Sequence, residues 1–126
     1  MKRDWHLLGR IFTEIENERF TAYLEASSDE EQDKIIRHLG LLIDAGYIVG
    51  GSVIYGNYGD VNYREDNSGF RITLEGYDFA ERVQDRTLLN RTIAMIKKAG
   101  LMVSMETLKQ FTPLAVAAIA QAVSGG

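Results

Sequence analysis

His6 and His38 are the only histidines among 126 residues, and the chain has no cysteine. A helical zinc site wants two imidazoles in His-x-x-x-His or His-Glu-x-x-His spacing, and neither pattern occurs here. A dedicated metal site is therefore not expected, and no cofactor is implied. Gly50-Gly51-Ser52 follows a β-prone run, as a phosphate-cradling loop would. It lacks the Gly-Lys-Ser/Thr ending and the helix that would supply further amide donors. Glu75 and Asp78 stand three residues apart, as a surface acid pair on a helix does, and the burial that a raised-pKa dyad needs is not shown by the sequence. These residues predict no enzyme.

Recognition chemistry is better represented. Tyr55, Tyr58 and Tyr63 lie among Gly50, Gly51, Gly56, Gly59 and Gly69. Tyrosine gives contact area at low entropic cost and glycine gives conformability, so this composition suits an adaptable binding loop. Lys34, Arg37 and His38 precede it on a helical stretch, and Arg64 falls inside it. Together these seven side chains are the expected partner-binding set.

The elements that must carry them are set out by period and caps. Trp5, Leu8, Ile11, Phe12 and Ile15 mark one face of a helix within residues 2–16. Phe20 to Leu24 alternates aromatic and small residues, which suits a short strand or an irregular link. Ser28-Asp29-Glu30-Glu31 is a capping box with an acidic first turn, opening a helix whose inner face holds Ile35, Ile36, Leu39, Leu42 and Ile43. Gly46 then supplies a left-handed stop. Residues 47–55 and 69–74 are β-prone, with turn formers filling 56–68, so a hairpin with a long, mobile tip is predicted. Thr73 caps a helix through Gln84 with Leu74, Tyr77, Phe79, Ala80 and Val83 as its apolar members. Asp85 or Thr87 opens another, with Leu88, Leu89, Ile93 and Ile96 inward, closed by Lys97, Lys98 and Gly100. Ser104 caps the last helix, which Pro113 is placed to kink or divide. Gly125-Gly126 is expected to fray.

Helix, helix with a glycine stop, hairpin, helix is the order of a winged helix-turn-helix, so the expected fold is α+β: a winged-helix-like core over residues 1–84 with additional C-terminal helices over 85–126, in one domain. Ile36 to Ile48, reading IRHLGLLIDAGYI, resembles the recognition helix of arsenical-repressor-type regulators. A wider likeness rests on Met1-Lys2-Arg3-Asp4, Leu41-Leu42-Ile43-Asp44-Ala45-Gly46, Ile72-Thr73-Leu74-Glu75-Gly76-Tyr77-Asp78-Phe79 and Asn90-Arg91-Thr92. In that order these segments resemble a family of small uncharacterised proteins from bacteria and phages, a domain of unknown function. The resemblance implies a fold and a phage or prophage setting and carries no chemistry. This chain departs from it in its Gly- and Tyr-rich wing and its Ala-rich last helix.

Charge selects among partners. The chain carries 14 Lys+Arg against 18 Asp+Glu, a formal net charge of −4. Between Asp29 and Ala45 five acids face two bases, and between Gly50 and Gly69 three acids face one. Phosphate contacts supply most non-specific affinity for DNA, and this surface repels a duplex unless Lys34, Arg37, His38 and Arg64 converge. The favoured reading is a non-enzymatic interaction module of phage or prophage type. It would use helix 29–45 and the wing 50–69 on a host or defence-system macromolecule, with a host or phage protein ahead of duplex DNA. The alternative is a winged-helix DNA-binding transcriptional regulator.

At 45% hydrophobic and 25% charged the composition is that of an ordinary globule rather than a disordered chain. The N-terminal stretch has no apolar core of a secretory signal, and the most apolar segment, 111–123, falls short of the roughly 20 residues a spanning helix needs. No membrane association and a cytoplasmic location are expected. Residues 114–123 carry no charge, so Leu114, Val116, Ile119 and Val123 are the expected interface of a homodimer.

Overall fold

The computed structural model describes residues 2–124. The Gly125-Gly126 end, expected to fray, lies outside the described residues. Within them the fold is α+β. Helices α1 (Trp5–Glu16), α2 (Phe20–Glu25) and α3 (Asp29–Asp44) precede strands β1 (Ile48–Val49), β2 (Gly51–Tyr55), β3 (Val61–Glu65) and β4 (Arg71–Ile72). Helices α4 (Leu74–Val83), α5 (Arg86–Lys98) and α6 (Met105–Ser124) follow.

The α1 face read from the sequence is the one that is buried: Leu8, Ile11 and Phe12 are fully enclosed, with Trp5 and Ile15 beside them. Ile35, Ile36, Leu39 and Leu42 of α3 join the same core, as do Phe79 and Val83 of α4, Leu89 and Ile96 of α5, and Leu108 of α6. Phe12 meets Phe79 edge-on at 6.2 Å, and Tyr47 stacks on Phe79 at 4.9 Å, fixing α4 across the exit of α3.

The caps do what their residue types dictate. Asp4 accepts from the Leu7 amide, Ser28 from Glu31, Thr73 from Gly76 and Asp85 from Leu88. The Thr107 amide donates to Ser104 Oγ at 3.1 Å at the start of α6. Gly46 sits at φ +78°, where an L side chain is strained, and this reversal delivers Tyr47 directly into β1. Helix α6 runs unbroken past Pro113.

Three expectations are corrected. Phe20 to Leu24 is neither strand nor link but helix α2. In so short a window, alternation and the i, i+4 pair Phe20/Leu24 look alike, and both of those side chains are buried. The hairpin has no long tip: β2 and β3 pair from Gly51↔Glu65 to Tyr55↔Val61, leaving only residues 56–60 as the turn. The sequence of β3 is rich in polar residues because only Val61 and Tyr63 face inward, while Asn62 and Arg64 face water. Finally, Leu74 and Tyr77 do not face the core. They lie on the outer side of α4, exposed, because Gly76, Phe79, Ala80 and Val83 already fill its inner face.

A candidate interaction surface on the third helix and the hairpin

The hairpin does not stand free. Its inner face lies along α3, where Val53 packs beside Gly40 and the Tyr55 hydroxyl closes over the same glycine; a Cβ there would meet that oxygen at 2.9 Å. At the turn, the Arg37 guanidinium donates to the Gly59 carbonyl while its Nε donates to Asp33 at 2.8 Å. The base is held by aromatic packing. Tyr63 meets Phe20 edge-on at 5.7 Å and lies 5.9 Å from Phe70, and its hydroxyl reaches Thr21 Oγ1 at 3.4 Å. The hairpin is thus anchored to α2 at one end and α3 at the other.

The seven expected partner-binding residues therefore separate. Tyr58 at the turn is 97% exposed and Tyr55 is 59% exposed, so both offer ring surface to a partner. Arg64 is exposed on the outer face, opposite Ser52. Tyr63 is half-buried and holds the hairpin to α2. Lys34 is tied to Asp4 at 2.9 Å, and Arg37 to Asp33 and the turn, so both cations are already matched within the chain. Sequence reasoning overlooked Ile54, 44% exposed beside Asn62 on the outer face of the hairpin. Its only signal was its place in the β2 alternation, which requires the β3 pairing to be known.

His38 corrects the expected set. It is fully buried, and its ring joins two elements rather than meeting a partner. Nε2 accepts from the Asp4 amide at 2.9 Å, so Nδ1 carries the proton and donates to the Lys34 carbonyl at 2.8 Å. Burial pushes its pKa below the ordinary 6.5, outweighing the carbonyl contact that favours the cation. Asp4 is pushed up by burial, but hydrogen bonds from Lys34 and the Leu7 amide outweigh this and hold its carboxyl below the ordinary range. Asp4, the last residue of one motif segment of the family likeness, thus ties the start of α1 to Lys34 and His38 on α3.

The His38 arrangement predicts a pH dependence. The unfolded chain binds the imidazole proton at higher pH than the folded one, so stability is full above about pH 6.5 and falls as pH drops from there through the lowered folded value. Urea midpoints should decline between pH 7 and pH 5, and His38→Gln should flatten that slope. An unchanged midpoint across this range would contradict the neutral, buried imidazole.

Asp29, Glu30 and Glu31 are exposed in the first turn of α3, Asp60 flanks the turn, and Glu65 and Asp66 close β3. The other imidazole, His6, shares a 2.7 Å hydrogen bond with Asn90 on α5. No group of three or more metal-ligating side chains converges among the described residues. Nor is any helix among them long and apolar enough to cross a membrane. On α6, Leu114, Val116 and Val123 are exposed and Ile119 is half-buried, while Leu108, Thr112 and Ala115 are buried against the domain.

A six-helix fold with a hairpin pinned to its third helix defines the class of this chain, and comparison gives the family. The family model described as hypothetical protein (DUF2513) matches residues 2–102, and the chain belongs to that family. The matched stretch runs from the segment before α1 to the link before α6. No curated protein matches the chain, and no solved structure does.

Proposed function

We propose that this chain is a non-enzymatic, winged-helix-like interaction module of phage or prophage type, which grips a host or phage protein with the tip of its wing. The observation that carries this reading is the pinned turn. Tyr55 and Tyr58 are exposed on a hairpin whose turn is tied to α3 by Arg37, so aromatic contact area is offered in a conformation that needs little further ordering. Rigid aromatic anchors of this kind dominate many protein interfaces. Asp60 at the same turn disfavours a phosphate backbone, and both α3 cations are internally paired. The phage setting comes from the family likeness of the motif segments.

The DNA-binding regulator remains the second reading, supported by one observation: Arg64 is exposed and makes no ion pair among the described residues. Affinity capture from a bacterial lysate, run beside a duplex mobility-shift assay, separates the two. The module should retain a specific protein that the Tyr55→Ala/Tyr58→Ala variant loses, and should not shift duplex. A shift that weakens steeply with salt and with Arg64→Ala would favour the regulator.

A further inference from the structure

Two exposed surfaces away from the wing complement each other. The first is the outer stripe of α4. Leu74 is 87% and Tyr77 46% exposed, three residues apart, and Glu81 continues the stripe one turn on, with Glu75 beside it. Asp78 on this face is paired with Arg82 at 3.0 Å, whereas Glu75 and Glu81 have no ion-pair partner among the described residues. The second is a groove of about 590 Å³ between the start of α1, the end of α5 and the link to α6. Trp5, Leu101 and Met102 give it an apolar lining, and Lys2, Arg3 and Lys97 rim it, none of them ion-paired among the described residues. The Arg3 guanidinium stands over the Trp5 ring at 5.8 Å.

An amphipathic helix with apolar anchors at i and i+3 and flanking acids is the natural occupant of an apolar groove with a cationic rim. Methionine adds an adaptable wall. The same chain presents such a helix face, and the groove and that face share no residue, so one copy can offer both at once. We infer that α4 of one copy docks in the groove of a second, head to tail, with Leu74 and Tyr77 against Leu101 and Met102 and the α4 glutamates against Lys2, Arg3 and Lys97. Such a contact is heterologous and extends into rings or short filaments rather than closing as a two-fold dimer. Its exposed charges make it salt-sensitive.

Sedimentation of the full chain over micromolar to millimolar concentration tests this. The weight-average mass should rise above 14.1 kDa with concentration and fall back as salt is raised from about 0.05 to about 0.5 M, which shortens the Debye length roughly threefold. Lys97→Glu, which blocks the groove, and Leu74→Ala/Tyr77→Ala, which strips the helix face, should each weaken association by about tenfold or more. All three positions are exposed, and unchanged circular dichroism would confirm that both variants fold. Mixed together, the two variants should form a capped 1:1 species and nothing larger, because each supplies the one face the other lacks. A wild type that stays at the mass of one chain would overturn the inference, as would mixed variants that remain monomeric. So would association indifferent to both variants, the result expected of a symmetric contact through α6.

Discussion

Gly9→Ala should destabilise the protein by about 3 kcal/mol or more, far beyond an ordinary helix substitution. Alanine is the better helix former, so on an isolated α1 the change would stabilise by up to about 1 kcal/mol. In the fold, however, a Cβ on Gly9 overlaps the Val83 carbonyl, and Val83 Cα–C backbone cannot rotate away as a side chain could. Relief requires α1 and α4 to separate, which opens the Phe12–Phe79 contact in the middle of the core. Gly46→Ala is the matched control. It has open space around it, so its cost is limited to the left-handed backbone, about 1–2 kcal/mol. Urea unfolding of the two variants should place Gly9→Ala well below Gly46→Ala. Equal midpoints would mean that α1 and α4 are not in backbone contact.

Leu42→Ala should cost about 2–5 kcal/mol, the range for emptying an enclosed leucine site. Leu42 is fully buried in the same core as Ile11, Phe12 and Phe79, one turn before the reversal at Gly46. The cavity would sit where α3 hands over to β1, so the β1–β4 pair should loosen with the core. Hydrogen exchange in β1 and β4 should accelerate along with global unfolding. A midpoint within a few tenths of a molar of wild type would place Leu42 on the wrong face of α3.

Helices α3 to α6 were legible because each announces itself twice, by an apolar period and by a cap; α1 shows the period alone, and the six-residue α2, with no side-chain cap, was missed. Ser28, Thr73, Asp85 and Ser104 each accept the amide their position requires, and the apolar faces of α1 and α3 are the buried ones. The hairpin was legible only at its base. β3 reads as turn formers because Asn62, Arg64 and Glu65 face water, and the inward Tyr63 gains its meaning from the ring of Phe20, which is distant in sequence, together with Phe70. The same long-range packing decided the site. Among the three hairpin tyrosines the sequence offers no distinction, yet Tyr63 is drawn into the aromatic contact with α2 while Tyr58 is left at the turn. His38, Lys34 and Arg37 looked like one polar helix face. Asp4 claims two of them from 30 and 34 residues upstream and the Gly59 carbonyl claims the third, and none of these pairings is written in local spacing. Leu74 and Tyr77 fit a helical apolar count, but Gly76 approaches Tyr47 and turns the opposite side of α4 inward.

The most direct test of the proposed function is photo-crosslinking from the turn itself. A benzoylphenylalanine in place of Tyr58, expressed in bacterial cells and irradiated, should yield a discrete protein adduct, identifiable by mass spectrometry. That adduct should fade when Tyr55→Ala is added and be missing when the same group replaces Arg86 at the start of α5. A nucleic-acid adduct, or no adduct from position 58 while position 86 gives one, would contradict a wing tip that grips a protein.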